Sequence, residues 1–277
     1  SSAASDVYKS QTYLEALRRH DSPRVERAVF GSGVADPAYW GLTEPIDQWI
    51  DFLDSCMYVG VRGPRSESIL REWGYDGQLE IMGDPGLVVQ PAESVVCEEG
   101  LIVISPAYTN SELWGGSDEE VFRSLAEFVE SMHGDGSEVA YLSCHPGDDR
   151  FIMEIMRQSD SIGAEYVAAY ADHEAGIRLL ARAGVVVAER LHAAVVAAAV
   201  GTPFVASEYR PKIRDFARSV DQEQATIRSD EVTSVRLQAL ANDAISGENV
   251  AALNAAVEAY RDRQRRVAAR LAEQLND

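Results

Sequence analysis

The run Val185-Val186-Val187-Ala188-Glu189-Arg190-Leu191-His192 leads into Ala193-Ala194-Val195-Val196-Ala197-Ala198-Ala199-Val200 and then Gly201-Thr202-Pro203-Phe204-Val205-Ala206. An unbroken β-branched run reads as a strand covered on both faces, and the alanine-rich stretch after it as a closely packed helix. Gly201-Thr202-Pro203 punctuates before the next apolar strand. This is a βαβ unit, and it predicts a parallel α/β sheet. Glu189, Arg190 and His192 fall at the carboxyl end of the strand, just before a helix N-terminus. Open α/β sheets bind ligands there, and the helix end favours anions. Arg190 and His192 are two apart, so an extended segment sends both side chains to one face.

Working outward, the same alternation repeats. The stretch Arg27-Ala28-Val29-Phe30-Gly31-Ser32-Gly33-Val34 reads as a strand closing on a small-residue turn, with a preceding helix over 7–20. The two glycines fit either a tight turn or close approach of backbone to a ligand. A short helix over 46–53 leads to the strand Cys56-Met57-Tyr58-Val59-Gly60-Val61, which ends in Arg62-Gly63-Pro64-Arg65-Ser66. Pro64 suits the first position of a helix, and Arg62 makes a second junction able to receive an anion. Residues 79–89 read as a strand broken by a rigid turn at Gly83-Asp84-Pro85, where Asp84 suits a turn. The segment 90–100 has no sustained period and reads as a linker.

A fresh strand starts at Leu101, and the strand Glu138-Val139-Ala140-Tyr141-Leu142-Ser143 ends in Cys144-His145-Pro146-Gly147-Asp148-Asp149. His145 is thus a second histidine at a strand's carboxyl end. Past the opening stretch, Tyr209-Arg210-Pro211-Lys212-Ile213-Arg214 is a turn and helix start with three cations. The last helices cover 230–242 and 250–277, and the run 261–266, with four arginines, reads as a solvated face. These breaks give three parts: an N-terminal Rossmann-like domain over 1–95, a second over 96–230, and C-terminal helices over 231–277.

The composition limits the function. The 277 residues carry 45 acidic against 25 basic side chains, a formal charge of −20, and only Lys9 and Lys212 are lysines. Such a surface repels phosphodiester backbones, which excludes nonspecific nucleic-acid binding. An anionic substrate therefore needs a local cluster of arginine or lysine. Cys56, Cys97 and Cys144 are far apart and give no metal-ligand spacing, so neither a metal nor a cofactor is expected. No apolar run is long enough to span a membrane, and Ser1-Ser2-Ala3-Ala4-Ser5-Asp6 lacks the parts of a signal peptide. A cytoplasmic protein is expected, with at most peripheral contact at the inner face of the membrane.

The segments Val61-Arg62-Gly63-Pro64-Arg65-Ser66, Gly83-Asp84-Pro85, Ser105-Pro106, His145-Pro146, Glu189-Arg190-Leu191-His192 and Gly201-Thr202-Pro203, with Tyr209, Pro211 and Lys212, occur in an order and spacing that resembles the polysaccharide pyruvyl transferase family. The resemblance implies a GT-B-like α/β architecture, two Rossmann-like domains with a cleft between them. Family members open with an apolar strand and a glycine-rich loop. Ser1-Ser2-Ala3-Ala4-Ser5 resembles residues that follow those elements, which implies an incomplete N-terminal domain. The activity implied is transfer of a pyruvyl unit from phosphoenolpyruvate to a pair of saccharide hydroxyls, on a free or lipid-linked acceptor, for cell-surface polysaccharide. Carried over, the arginines that bind phosphoenolpyruvate are Arg62 and Arg190, and the motif histidine is His192.

Chemically, a ketal needs a proton on the methylene carbon of phosphoenolpyruvate, and imidazole titrates in the working range, so His192 is the candidate acid. Asp84, Glu189 and Asp148 are the candidates to take hydroxyl protons or orient the histidine. Ser66 and His145 join the substrate-binding set, and Lys212 is placed to neutralise departing phosphate. Two alternatives remain at this level: a glycosyltransferase using a nucleotide sugar, with Arg190 and Lys212 on the diphosphate, and a noncatalytic member that binds a glycan or a partner. The sequence leaves the oligomeric state open.

Overall fold

The computed structural model describes residues 26–40, 47–110 and 113–275. The helix expected over 7–20 and the chain start on which an incomplete domain was inferred lie outside them. The chain divides into two compact units, 1–85 with 263–277, and 86–262. Among the described residues no helix is long and apolar enough to cross a membrane.

The first unit holds a parallel sheet in the order β1-β2-β3, with β1 at Ala28–Ser32, β2 at Tyr58–Val61 and β3 at Glu80–Ile81. Helices α1 (Pro37–Trp40), α2 (Asp47–Asp54) and α3 (Pro64–Glu72) accompany it. Pro64 opens α3, where its missing N–H is no loss. The expected strand across 87–89 does not form: Pro85–Val88 is a 3₁₀ turn with Leu87 buried. Proline fixes φ near the helical value, so the chain turns after Asp84 instead of extending.

The second unit begins earlier than the composition suggested, because the supposed linker is already part of it: β4 runs Glu98–Ser105 and pairs Glu98 with Ala183. Its six parallel strands stand in the order β6-β5-β4-β7-β8-β9. Here β5 is Glu138–Ser143, β6 Glu165–Ala168, β7 Ala183–Ala188, β8 Phe204–Glu208 and β9 Thr226–Arg228. This is a doubly wound sheet whose order reverses between β4 and β7. The period-2 rule explains the layering: Val186 and Ala188 face one core, and Val185 and Val187 the other. The first core is covered by α6 (His173–Arg182), α7 (Leu191–Ala199), α8 (Pro211–Ser219) and the start of α10 (Gly247–Gln274). The second is covered by α4 (Asp118–Gly134), α5 (Asp149–Gln158) and α9 (Ser234–Ala244). Small side chains make α7 fit: Ala193, Ala194, Ala197 and Ala198 are buried, and Gly201 ends the helix at φ 81°.

The run 261–266 is a solvated face only in part: Asp262, Arg265 and Arg266 are exposed, but Arg261 and Gln264 turn inward. Arg261 is 6% exposed, and its guanidinium donates to the carbonyls of Leu87, Val89 and Ala199. Gln264 is 2% exposed and donates to the carbonyls of Met82 and Asp84, 3.1 and 3.0 Å away. Long polar side chains are tolerated inside because the N–H groups of each meet backbone carbonyls. Helical periodicity scored those residues as polar and could not see the carbonyls.

Candidate active site

The switch point lies where β4 and β7 end side by side, Ser105 opposite Ala188. Ligands of doubly wound sheets bind outside strand ends at such a point. The Glu189 amide donates to the Ser105 carbonyl at 2.9 Å, which turns the Glu189 carboxyl inward. There the Ala107 amide donates to Oε2 at 3.0 Å, and the Ser207 hydroxyl lies 3.4 Å from Oε1. Burial, with the nearby Asp118 charge adding to it, pushes the Glu189 carboxyl up to about 8. It is 1% exposed, held as deep as the other buried sequence candidates Asp148 and Ser66.

Arg190 is the residue that caps α7, with extended backbone at φ −75° and ψ 124°. Its Nε donates to Asp148 Oδ2 at 2.9 Å, its Nη2 donates to Asp148 Oδ1, and Nη2 also lies 3.4 Å from the Tyr108 carbonyl. Asp148 is wholly buried and takes a further bond from the Tyr108 amide at 2.9 Å. Burial opposes the charge on Arg190, but the Asp148 carboxylate outweighs it and holds the guanidinium protonated. The side chain stays 23% exposed. Tyr209 is buried against this group. A bidentate fork of this kind leaves Arg190 little rotational freedom.

His192 is exposed in the first turn of α7. The strand ends at Ala188, so the shared extended face expected for residues 190 and 192 is replaced by a cap residue and a helical one. Leu191 between them turns into the core. His145 is also exposed and caps the 3₁₀ turn Pro146–Asp148: its Nδ1 accepts from the Gly147 amide at 2.9 Å. That bond assigns the neutral ring's proton to Nε2, leaving His145 as a donor toward solvent. Its carbonyl accepts from the Asp148 amide at 2.8 Å, so the turn it starts also sets Asp148. Lys212, in the first turn of α8, places its ammonium 5.4 Å from the Tyr209 ring. Beside these groups, Asp149 accepts from Ser143 (2.6 Å), Tyr166 (2.9 Å) and Tyr170 (2.7 Å). Burial raises its carboxyl, but these three hydroxyls outweigh that and hold it below the usual carboxylate range.

In the first unit Arg62 Nε donates to Asp84 Oδ2 at 2.8 Å, and both side chains are largely buried. Ser66 is buried, and its hydroxyl accepts from the Val34 amide at 3.0 Å. The glycines of the first strand are explained by this arrangement. A Cβ on Gly33 would lie 2.5 Å from Arg62 Nη1. One on Gly31, at φ 69°, would lie 2.5 Å from the Gly83 carbonyl oxygen. Gly31 sits in a left-handed turn, and the groups that approach the two glycines are the protein's own Arg62 and Gly83-Asp84-Pro85 turn. Gly31→Ala is expected to destabilise the protein by at least ~2 kcal/mol, since left-handed strain adds to the clash. Urea unfolding of the variant checks this, and an unchanged midpoint would contradict it.

Sequence reasoning missed two features. Tyr108 follows a strand with no pattern that marks it, and the partners of Asp149, Tyr166 and Tyr170, stand on another strand and the loop after it. The adjacent Asp148-Asp149 after a strand was the readable signal for the acidic part. Among the described residues no group of histidine, cysteine and acidic side chains has metal-binding geometry.

The parallel sheets with their helices define an α/β fold, and it is similar to that of GT-B glycosyltransferases of known structure. The pneumococcal O-GlcNAc transferase GtfA, solved in complex with UDP and GlcNAc, superposes with a TM-score of 0.55 at 12% identity, over 90% of this chain and 52% of that one. Os79 from O. sativa, in complex with U2F and trichothecene, gives 0.52 at 11% identity, over 86% and 58%. This chain therefore spans little more than half the length of those proteins. A whole-sequence comparison with curated proteins gives no match. The family model for polysaccharide pyruvyl transferase matches residues 6–211, and the chain belongs to that family.

Proposed function

We propose that this protein transfers a pyruvyl unit from phosphoenolpyruvate to two hydroxyls of a saccharide, releasing phosphate and leaving a cyclic ketal. The observation that carries this is Arg190, fixed by a buried carboxylate at the switch point, beside a helix N-terminus that bears an exposed histidine. The guanidinium and the first-turn amides of α7 offer donors to a small molecule with a carboxylate and a phosphate. His192 gives a proton to the methylene carbon, which leaves positive charge at C2. One sugar hydroxyl attacks C2 and returns a proton to the imidazole, phosphate leaves with its bonding electrons, and the second hydroxyl closes the ring on C2 and gives its proton to the departing phosphate. Lys212 and the His145 Nε2–H assist the phosphate. Arg62, steadied by Asp84, is a second anion-binding arginine. Family membership supports this donor, and the acceptor is a saccharide of the cytoplasm or the inner membrane face.

Phosphate release from phosphoenolpyruvate that requires an added saccharide, and that falls by about 10²–10⁴ in His192→Ala, is the expected result. Release that is absent with every acceptor, or indifferent to His192, would refute it. A thermal shift with UDP or GDP but not with phosphoenolpyruvate would point instead to a nucleotide-sugar glycosyltransferase.

A further inference from the structure

Tyr108 is tied to the anion-gripping pair through its backbone alone: its amide donates to Asp148 at 2.9 Å and its carbonyl faces Arg190 Nη2 at 3.4 Å. Its ring has another use. It stacks on Phe151 with centroids 4.5 Å apart, and Phe151 stacks on the buried Phe122 at 4.2 Å. The three rings form a pile running from the core to a half-buried outer member. Two exposed polar residues flank that member. The Arg150 guanidinium lies 4.1 Å from the Tyr108 ring centre, and Asn110 Oδ1 accepts from the Tyr108 hydroxyl at 2.9 Å. That bond leaves the amide NH₂ of Asn110 as the group able to donate elsewhere. Asn110 holds φ 55°, a left-handed conformation that asparagine tolerates, so the loop is shaped at this point.

A rigid aromatic ring, with the Arg150 guanidinium packed over it and over Phe151 and an amide donor at its hydroxyl end, fits the apolar C–H face and ring hydroxyls of a hexopyranose. We propose that Tyr108, with Arg150 and Asn110, is the subsite that seats the acceptor sugar beside the donor held at Arg190. This rests on the pyruvyl transfer reading and names where its second substrate binds.

The separation of backbone and side-chain roles makes the test selective. Tyr108→Ala keeps the amide and carbonyl that bind Asp148 and Arg190 and removes only the ring. It is expected to raise KM for the saccharide about tenfold, the size of one lost aromatic contact, with KM for phosphoenolpyruvate changed by less than about twofold. Tyr108→Phe, which keeps the ring, is expected to restore most of the acceptor affinity. Tyr108→Leu fills the space over Phe151 without a flat face; it is expected to behave as the alanine variant does, and serves where that variant fails to fold. Equal rises in both KM values, or no rise in either, would overturn the subsite. Saturation-transfer NMR with methyl hexopyranosides gives a readout independent of turnover. Transfer to the sugar in the parent protein that vanishes in Tyr108→Leu supports the subsite even if no phosphate is ever released. Transfer that is absent from the parent protein or unchanged in the variant overturns it.

Discussion

Glu189→Gln is expected to stabilise this protein at alkaline pH and to remove much of its pH dependence between about pH 4.5 and 8. In the unfolded chain a glutamate releases its proton near 4.5, but here burial holds the carboxyl protonated to about 8. Over that window the native state binds more protons than the unfolded state, so stability falls as pH rises, by at most ~1.4 kcal/mol per pH unit from this group. The direction is set by a raised acid: stability is intact below the unfolded value and is lost on the way up to the folded one. Above pH 8 the whole cost, on the order of 4–5 kcal/mol, weighs on the native state. Glutamine keeps the acceptor for the Ala107 amide and turns an NH₂ toward the Ser207 hydroxyl, so the neutral form is reproduced. Urea midpoints at pH 5, 7 and 9 check this. Parent and variant curves with equal slopes would show that Glu189 ionises normally.

Arg190 and Asp148 are expected to be unequal partners. Removing the arginine, as in Arg190→Met, strands a wholly buried carboxylate whose remaining donor among the described residues is the Tyr108 amide. A loss of about 3–5 kcal/mol follows, as for other broken buried pairs. Removing the acid, as in Asp148→Asn, costs less, because Arg190 is 23% exposed and reaches water. The double variant Arg190→Met, Asp148→Asn is expected to recover most of the stability lost in Arg190→Met while remaining unable to release phosphate from phosphoenolpyruvate. Denaturation of all four proteins closes the cycle. If the double variant is no more stable than Arg190→Met alone, the stranded carboxylate is not the cause. The comparison also matters for activity: a single arginine variant loses fold and function together, and only the double variant separates them.

The parts of this molecule that were legible in the sequence are those built from local periodicity. Val185-Val186-Val187 could hardly be anything but a strand covered on both sides, and the alanines of α7 announced close packing. Arg190 was found because strand ends in α/β sheets bind ligands, whatever the rest of the sheet does. Its partner Asp148 stands 42 residues away, and nothing in a one-dimensional pattern chooses it over Asp84 or Glu189. Glu189 itself stands between a strand and an arginine in sequence; only the amide bond to Ser105 reveals that it points inward. Arg261 and Gln264 have the residue types of a wet helix face. Their burial is decided by carbonyls of residues far away in the chain, which no helical periodicity records.

The long helix α10 is shared: its earlier turns belong with residues 86–262, while Gln264, Val267 and Leu271 belong with the first unit. Val267 packs with Tyr58 and Met82, and Gln264 holds the carbonyl of Asp84. On the ribosome, where domains fold as they emerge, the order of completion is thus the reverse of the order of synthesis. The second unit's residues 86–262 are in place once Asp262 has appeared, whereas the first, though begun before it, must wait for the turn of α10 that carries Gln264 before its Gly83-Asp84-Pro85 turn is held.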